Sequence, residues 1–153
     1  LGCGDVGREI AKRLKAFDCR ITGVNRTVRV LPDFDAVLPL DALPDAAAVC
    51  DILICCIALT LETRGIVCKA VFDRLHPNAI FVNVARGALA DEAALTAWLQ
   101  SGGYAVLDVF EEEPLPESSP LWEMENVVLT PHNSFVGDGN RERMWQTIKE
   151  NLK

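Results

Sequence analysis

Apolar and polar positions along the chain divide it into two kinds of segment. Nearly all-apolar runs are typical of strands covered on both faces of a sheet, and they occur at 51–57 and 79–84. Shorter stretches at 20–24, 105–107 and 127–129 also predict strands. Longer segments have apolar residues at helical spacing, and they predict helices at about 10–17, 41–49, 64–75, 91–100 and 141–152. Residues 36–38 favour one more short strand.

Local signals sharpen several of these boundaries. Asp91 has the side chain to cap a helix that runs to Gln100 and stops at Gly102. Pro44 delays the start of the helix around it. Strands that alternate with helices indicate crossover connections, which build a parallel sheet. We therefore predict an α/β fold, a doubly wound parallel sheet of the Rossmann type, as one domain over residues 1–153.

Composition excludes several classes of partner. Half of the residues are apolar and about a quarter are charged, which is ordinary for a globular domain. No apolar run approaches the roughly 20 residues that span a bilayer, and no signal peptide is recognisable, so we expect a soluble chain with no membrane partner. The net charge of −7 argues against nucleic acid, which needs concentrated positive charge.

The six cysteines show no C-x-x-C spacing, and the chain has two histidines, so we expect no metal site. Cys55 and Cys56 stand in an apolar run, where cysteine behaves as a small buried apolar residue. Cysteines used in this way favour a reducing, cytoplasmic compartment.

A glycine-rich turn opens the first predicted helix. Its spacing is G-x-G-x-x-G, and a helix begins directly after it, so free backbone N–H groups and the positive end of the helix dipole face the turn. The alternative is an ordinary strand-to-helix turn. We predict that a dinucleotide pyrophosphate binds at Gly2, Gly4, Asp5, Val6 and Gly7.

The second cofactor signal follows the next strand, where an acidic residue would bind the adenosine ribose hydroxyls. This sequence has Asn25, Arg26 and Thr27 there instead. An arginine suits a 2′-phosphate through charge-assisted hydrogen bonds, so the pattern favours NADP over NAD. The alternative is a solvated surface arginine beside a bound NAD.

Three later segments, 83–87, 107–116 and 129–132, together with 59–63, resemble the D-isomer-specific 2-hydroxyacid dehydrogenase family. This family includes phosphoglycerate dehydrogenase, D-lactate dehydrogenase and glyoxylate/hydroxypyruvate reductase. The resemblance covers essentially the whole chain in order. It implies an oxidoreductase that transfers a hydride between NAD(P) and a small D-2-hydroxy acid or 2-keto acid.

The same resemblance implies a catalytic triad. His132 would be the acid/base, since imidazole titrates in the useful pH range. Glu113 would orient the imidazole, and Arg86 would bind the substrate carboxylate through its planar fork. Each residue has a plainer alternative: a structural histidine, a solvated run of glutamates from 111 to 113, and a surface arginine.

Weaker assignments follow from the resemblance as well. Asp108 would contact the nicotinamide amide, and Thr60 with Ala85 would line the nicotinamide side. The chain departs from the family at Ala58, where proline is usual, and at Phe135, where residues are usually small. A bulky Phe135 leaves the shape of the pocket and the identity of the acid open.

In the family, a second domain supplies the other wall of the cleft, and dimers form through the nucleotide-binding domain. We therefore expect a first strand cut short, an absent substrate domain, little turnover by this chain alone, and a homodimer. The rival from another class is an NAD(P)-sensing binding module like the corepressors that share this fold. A formate dehydrogenase-like enzyme is a further alternative, and Glu113 argues against it because an amide is the partner there.

Overall fold

Short strands alternate with helices through residues 1–152, which the computed structural model describes. The strands are β1 (Thr22–Val24), β2 (Ala36–Leu38), β3 (Ile52–Cys55), β4 (Ile80–Asn83), β5 (Tyr104–Leu107) and β6 (Val127–Leu129). The α-helices are α1 (Asp5–Lys15), α2 (Leu43–Ala47), α3 (Lys69–Phe72), α4 (Glu92–Gln100) and α5 (Asn140–Asn151).

The strands form two parallel sheets, one of β1 and β2 and one in the order β3-β4-β5-β6. Leu1 and Gly2 lie between the two. The Leu1 amino group donates to the Ile54 carbonyl at 2.7 Å, and the Cys56 N–H donates to the Leu1 carbonyl at 2.9 Å. On the other side, the Gly2 N–H donates to the Val24 carbonyl at 2.8 Å. This continuous parallel arrangement with flanking helices confirms the predicted Rossmann-type fold.

The core lies between the larger sheet and the helices that cover it. Phe81, in the middle of β4, is fully buried and meets Phe72 of α3 edge-on, with ring centroids 5.3 Å apart. Trp98 of α4 packs against the same Phe72 at 5.6 Å. Burying each such side chain contributes about 1.5–3 kcal/mol, so these aromatic residues fix α3 and α4 on the sheet.

The prediction for α4 is confirmed. The helix runs over Glu92–Gln100, and the Asp91 carboxylate accepts a hydrogen bond from the Ala94 N–H at 3.0 Å. Strands β2 and β6 have the predicted bounds. Strands β1, β3 and β4 are shorter than the segments that predicted them, and β5 begins one residue earlier, at Tyr104.

The predicted helix over 64–75 is wrong, because only Lys69–Phe72 is α-helical. The backbone before it pairs with a distant segment instead. The Gly65 N–H donates to the Ala88 carbonyl at 2.9 Å, and Val67 forms an isolated parallel bridge with Ala90. Non-local pairing has overridden the helical spacing of the local sequence.

Two further helices differ from their predicted bounds, and helix α1 begins earlier than predicted, at Asp5. Helix α1 ends at Lys15, so Phe17 lies beyond it with 78 % of its surface exposed, and Asp18 has a left-handed φ of 58°. The predicted helix over 41–49 begins as a 3-10 turn, and its α-helical part is α2, with Pro44 in the first turn. Proline is compatible with a helix there because the first N–H groups have no partner within the helix.

Every cysteine is a free thiol, and Cys55 is fully buried. Burial raises the pKa of Cys55 to about 11, so it stays protonated as a small buried side chain. Among residues 1–152, no helix is long and apolar enough to cross a membrane. The same residues contain no cluster of three or more His, Cys, Asp and Glu side chains suited to a metal ion.

Candidate active site at the carboxyl ends of the strands

The predicted catalytic residues follow three neighbouring strands. Arg86 comes three residues after β4, Glu113 lies in the loop after β5, and His132 lies in the loop after β6. Because these strands are parallel and paired in register, their carboxyl ends meet at one edge of the sheet. Ligands of open α/β sheets bind at such an edge.

His132 and Glu113 are in direct contact, with Nδ1 of His132 and Oε2 of Glu113 2.6 Å apart. The side chains are 38 % and 34 % exposed, so the pair is accessible from solvent. The second carboxylate oxygen, Oε1, accepts a hydrogen bond from the Phe110 N–H at 3.0 Å. The pKa of Glu113 lies below its ordinary value, chiefly because of that backbone hydrogen bond, with His132 and Arg86 adding to the effect against the opposing effect of burial. An ionised Glu113 can orient the imidazole and stabilise its protonated form.

Arg86 is exposed, and its Nη1 donates to the Ala85 carbonyl at 2.5 Å. It lies close enough to Glu113 for its charge to lower the pKa of that carboxyl. The next residue, Gly87, explains this proximity. A Cβ at Gly87 would lie 1.9 Å from the Phe110 carbonyl carbon, so only glycine allows the two loops to pack backbone against backbone. The structure thus brings the three predicted triad residues to one place.

Asn83 is the last residue of β4 and is 2 % exposed. Its Nδ2 donates to the Arg86 carbonyl at 3.0 Å, and its Oδ1 accepts from the Ala85 N–H at 3.1 Å. Both ends of the amide therefore fix the loop that carries Arg86. No role of its own was predicted for Asn83, although a polar residue that ends an apolar strand was a usable signal.

Asp108 is also buried, at 2 % exposed. Its Oδ1 accepts from the Thr130 hydroxyl at 2.5 Å and from the Asn133 N–H at 2.9 Å, and its Oδ2 accepts from the Ser134 N–H at 2.9 Å. Burial would raise the pKa of Asp108, but the hydrogen bonds from Ser134, Thr130 and Asn133 outweigh it and lower the pKa to about 2. The observed contacts of Asp108 thus fix the loop of His132. Its contact with a nicotinamide amide stays a prediction.

His132 itself has a left-handed backbone, with φ of 50°. A residue other than glycine costs about 1–3 kcal/mol in a sparsely populated region of this kind, and such residues cluster at functional sites. The hydrogen bonds that the Asn133 and Ser134 N–H groups donate to Asp108, directly after His132, offset this cost. Phe135 meets the imidazole edge-on, with ring centroids 6.2 Å apart, and remains 67 % exposed.

The glycine turn has the geometry of a phosphate cradle. Gly2 has φ of 94°, and a Cβ there would lie 2.6 Å from the Ile57 backbone nitrogen. Gly7 packs against the Gly2 carbonyl, where a Cβ would come within 2.1 Å. Gly4, the N-cap of α1, faces open space, and no side chain caps the helix. Asp5 and Val6, the first helical residues, are exposed. Uncapped N–H groups facing open space fit an anionic pyrophosphate.

The turn after β1 lies beside this cradle. The Cys3 N–H donates to Oδ1 of Asn25 at 3.4 Å, and Nδ2 of Asn25 donates to the Thr27 carbonyl at 3.2 Å. Arg26 is 62 % exposed, and its guanidinium pairs with the Glu62 carboxylate at 2.7 Å. This pairing was not predicted, since Glu62 lies 36 positions along the chain from Arg26.

The loop after β3 is held by two threonines. The Thr60 N–H donates to the Thr63 hydroxyl at 2.7 Å, and that hydroxyl donates to the Ala58 carbonyl at 2.7 Å. Thr63 is 1 % exposed. Thr60 was predicted at the site and Thr63 was not, although hydroxyl residues three apart in a loop signal such a turn. The place of Thr60 and of half-buried Ala85 beside a nicotinamide stays a prediction.

Comparison with known proteins places these features in a family context. Residues 1–134 match the sequence profile described as "D-isomer specific 2-hydroxyacid dehydrogenase, NAD binding domain". The chain is 42 % identical over 145 residues to glyoxylate/hydroxypyruvate reductase A of Arabidopsis thaliana, covering 93 % of this chain and 44 % of that protein. It is 36 % identical to the glyoxylate reductase of Korarchaeum cryptofilum, covering 99 % of this chain and 46 % of that protein.

Solved structures from the same family superpose on this chain. A D-isomer specific 2-hydroxyacid dehydrogenase from Xanthobacter autotrophicus, in complex with NADPH, superposes with a TM-score of 0.87 at 38 % identity, covering 99 % of this chain and 64 % of that one. The NADPH-dependent glyoxylate/hydroxypyruvate reductase of Sinorhizobium meliloti, in complex with NADP, gives 0.86 at 31 % identity, covering 99 % of this chain and 49 % of that one. The chain spans about half the length of the curated relatives it matches.

Proposed function

The chain belongs to the D-isomer specific 2-hydroxyacid dehydrogenase family through its NAD-binding domain, and from this premise we propose that it serves an oxidoreductase acting on a small D-2-hydroxy acid or 2-keto acid. The contact between His132 and Glu113 carries the proposal. It lies at the edge of the sheet where Arg86 also lies, next to a glycine turn suited to phosphate.

The chemistry of the three residues supports this reaction. A bound NAD(P)H supplies the hydride for reduction of a 2-keto acid. Protonated His132 gives its proton to the keto oxygen, which becomes the hydroxyl, and in the reverse direction neutral His132 takes that proton back. Glu113 holds the ring and favours its protonated form, and Arg86 binds the substrate carboxylate through two parallel hydrogen bonds.

For the cofactor we propose that Gly2, Gly4, Asp5, Val6 and Gly7 hold the pyrophosphate. Asn25, Arg26 and Thr27 would hold the adenosine ribose, and the guanidinium favours NADP over NAD. Two solved relatives support this choice, since their structures contain bound NADPH and NADP, respectively. At the other end of the cofactor, Asp108, Thr60 and Ala85 would lie next to the nicotinamide.

We also propose that residues 1–153 are the dinucleotide-binding domain and that a substrate domain supplies the other wall of the cleft. The open position of Arg86 supports this, because substrate needs a closed site that excludes water. Such an enzyme would act as a homodimer, which sedimentation would show as twice the subunit mass.

A direct test is to assay the protein at its full natural length against glyoxylate, hydroxypyruvate and pyruvate with NADPH and with NADH. The proposal expects cofactor oxidation with at least one acid. The alternative, an NAD(P)-sensing module of the corepressor type, would bind the dinucleotide with no turnover on any acid. A protein that binds neither cofactor would contradict both.

A further inference from the structure

The adenosine end of the candidate cofactor site contains an ion pair between two loops. Nη2 of Arg26, after β1, lies 2.7 Å from Oε2 of Glu62, in the loop after β3. The side chains are 62 % and 71 % exposed, so neither is constrained by the core. One guanidinium N–H is thereby directed at a carboxylate of this chain, at the position proposed to receive a 2′-phosphate.

Hydrogen bonds to other residues hold both loops in place. The turn of Arg26 is tied to the glycine turn through the hydrogen bond from the Cys3 N–H to Asn25. The loop of Glu62 is fixed by buried Thr63, which bonds to Thr60 and to the Ala58 carbonyl. The carboxylate therefore belongs to an ordered loop, and it faces the arginine across the space between the carboxyl ends of β1 and β3.

From this placement we infer that Glu62 is a specificity-determining residue for the dinucleotide, an inference that rests on the proposed function. The sequence lacks an acidic residue at the end of β1 to accept the ribose 2′-hydroxyl. Glu62 supplies a carboxylate to the same position from the opposite loop. It accepts a hydrogen bond from the 2′-hydroxyl of NAD(H), and it competes with a 2′-phosphate for Arg26.

Charge explains the direction of the effect. A phosphate monoester carries about −1.5 to −2 charges at pH 7, so a carboxylate beside it is repelled while the arginine is attracted. The neutral hydroxyl of NAD(H) meets no such repulsion. Glu62 thus narrows the preference for NADP(H) that Arg26 alone would give, and the site accepts both dinucleotides.

The test is the dissociation constant of NADPH and of NADH, measured by calorimetry on the parent protein and on Glu62→Gln. We expect the variant to bind NADPH about three- to tenfold more tightly and NADH no more tightly than the parent. The gain for NADPH should shrink as salt rises from 0.05 to about 0.5 M, since exposed charges are screened.

The matched control is Asp73→Asn, which removes one negative charge and one exposed ion pair, with Lys69, at the end of α3. It should leave both constants unchanged. Glu62→Ala is included because the glutamine could form a new hydrogen bond, whereas the alanine side chain cannot. It should shift the ratio of the NADPH and NADH dissociation constants in the same direction. An unchanged ratio in both Glu62 variants, with the cofactors still bound, overturns this inference alone. Failure of every variant to bind either dinucleotide overturns the proposed function and the inference with it.

Discussion

The two ends of the candidate site are held in different ways. At the triad end, buried side chains fix the loops, since Asn83 and Asp108 are each 2 % exposed and bond to the loops of Arg86 and His132. At the adenosine end, buried Thr63 fixes the backbone of the Glu62 loop, but the side chains of Arg26 and Glu62 form an ion pair that is more than half exposed. Buried hydrogen bonds to a charged group are worth about 1.5–3 kcal/mol, and exposed ion pairs about 0–1 kcal/mol. The loops are thus fixed at both ends, and the adjustable part is the ion pair where cofactor selection is proposed.

The largest expected effect is at the triad end. In the protein at its full natural length, His132→Ala should lower kcat for keto-acid reduction by roughly 10²- to 10⁴-fold, because the proton donor is lost. NADPH affinity should stay within about twofold of the parent, since the histidine is assigned to substrate and not to the dinucleotide. Stopped-flow turnover and calorimetry measure the two quantities. Equal loss of turnover and cofactor binding would indicate a structural histidine.

The second-largest expected effect concerns buried Asp108, which fixes the loop of His132. Asp108→Asn should lower the free energy of unfolding by about 1.5–3 kcal/mol, because an amide nitrogen would face backbone N–H donors. The control Asp73→Asn removes an exposed carboxylate that pairs with Lys69, and it should cost only a few tenths of a kcal/mol. Denaturant titrations of both variants provide the measurement.

The difference in the free energy of unfolding between the parent and Asp108→Asn should depend on pH. The pKa of Asp108 is about 2, below its ordinary value of 3.8, so its stabilising contribution is complete above about pH 4 and is lost as the pH falls towards 2. The gap between the parent and Asp108→Asn should therefore narrow over this interval. A gap that stays constant down to pH 2 would mean that the charge of Asp108 is not what holds the loop.

The smallest of these effects is expected at the adenosine end. Arg26→Ala should weaken NADPH binding by roughly tenfold and leave NADH binding and the free energy of unfolding nearly unchanged. Calorimetry with both dinucleotides and a thermal melt check this expectation. An equal loss for both dinucleotides would show that Arg26 has no role in choosing between them.

The difference between local signals and contacts of distant residues explains which features the sequence predicted. Periodicity predicted the order of strands and helices and the Asp91 cap, because these signals are local. It failed at 64–68, whose backbone pairs with residues 88–91, since spacing along one segment carries no information about a distant partner. The motifs predicted His132, Glu113 and Arg86. They did not predict that Glu62 pairs with Arg26 or that Asp108 fixes the loop of His132, because both contacts depend on the folded arrangement of loops.

The most direct test of the account compares Glu113→Gln with Glu112→Gln in the protein at its full natural length. Glu113 contacts His132, whereas its neighbour Glu112 is an exposed residue of the same acidic run. The Glu113 carboxylate is positioned to stabilise a protonated imidazole, and the neutral amide of glutamine carries no charge to do so. Glu113→Gln should therefore lower kcat for reduction and move the upper pH limit of reduction to lower pH, while Glu112→Gln should match the parent. Identical rates and pH profiles for both variants and the parent would contradict the proposed role of the His132–Glu113 pair.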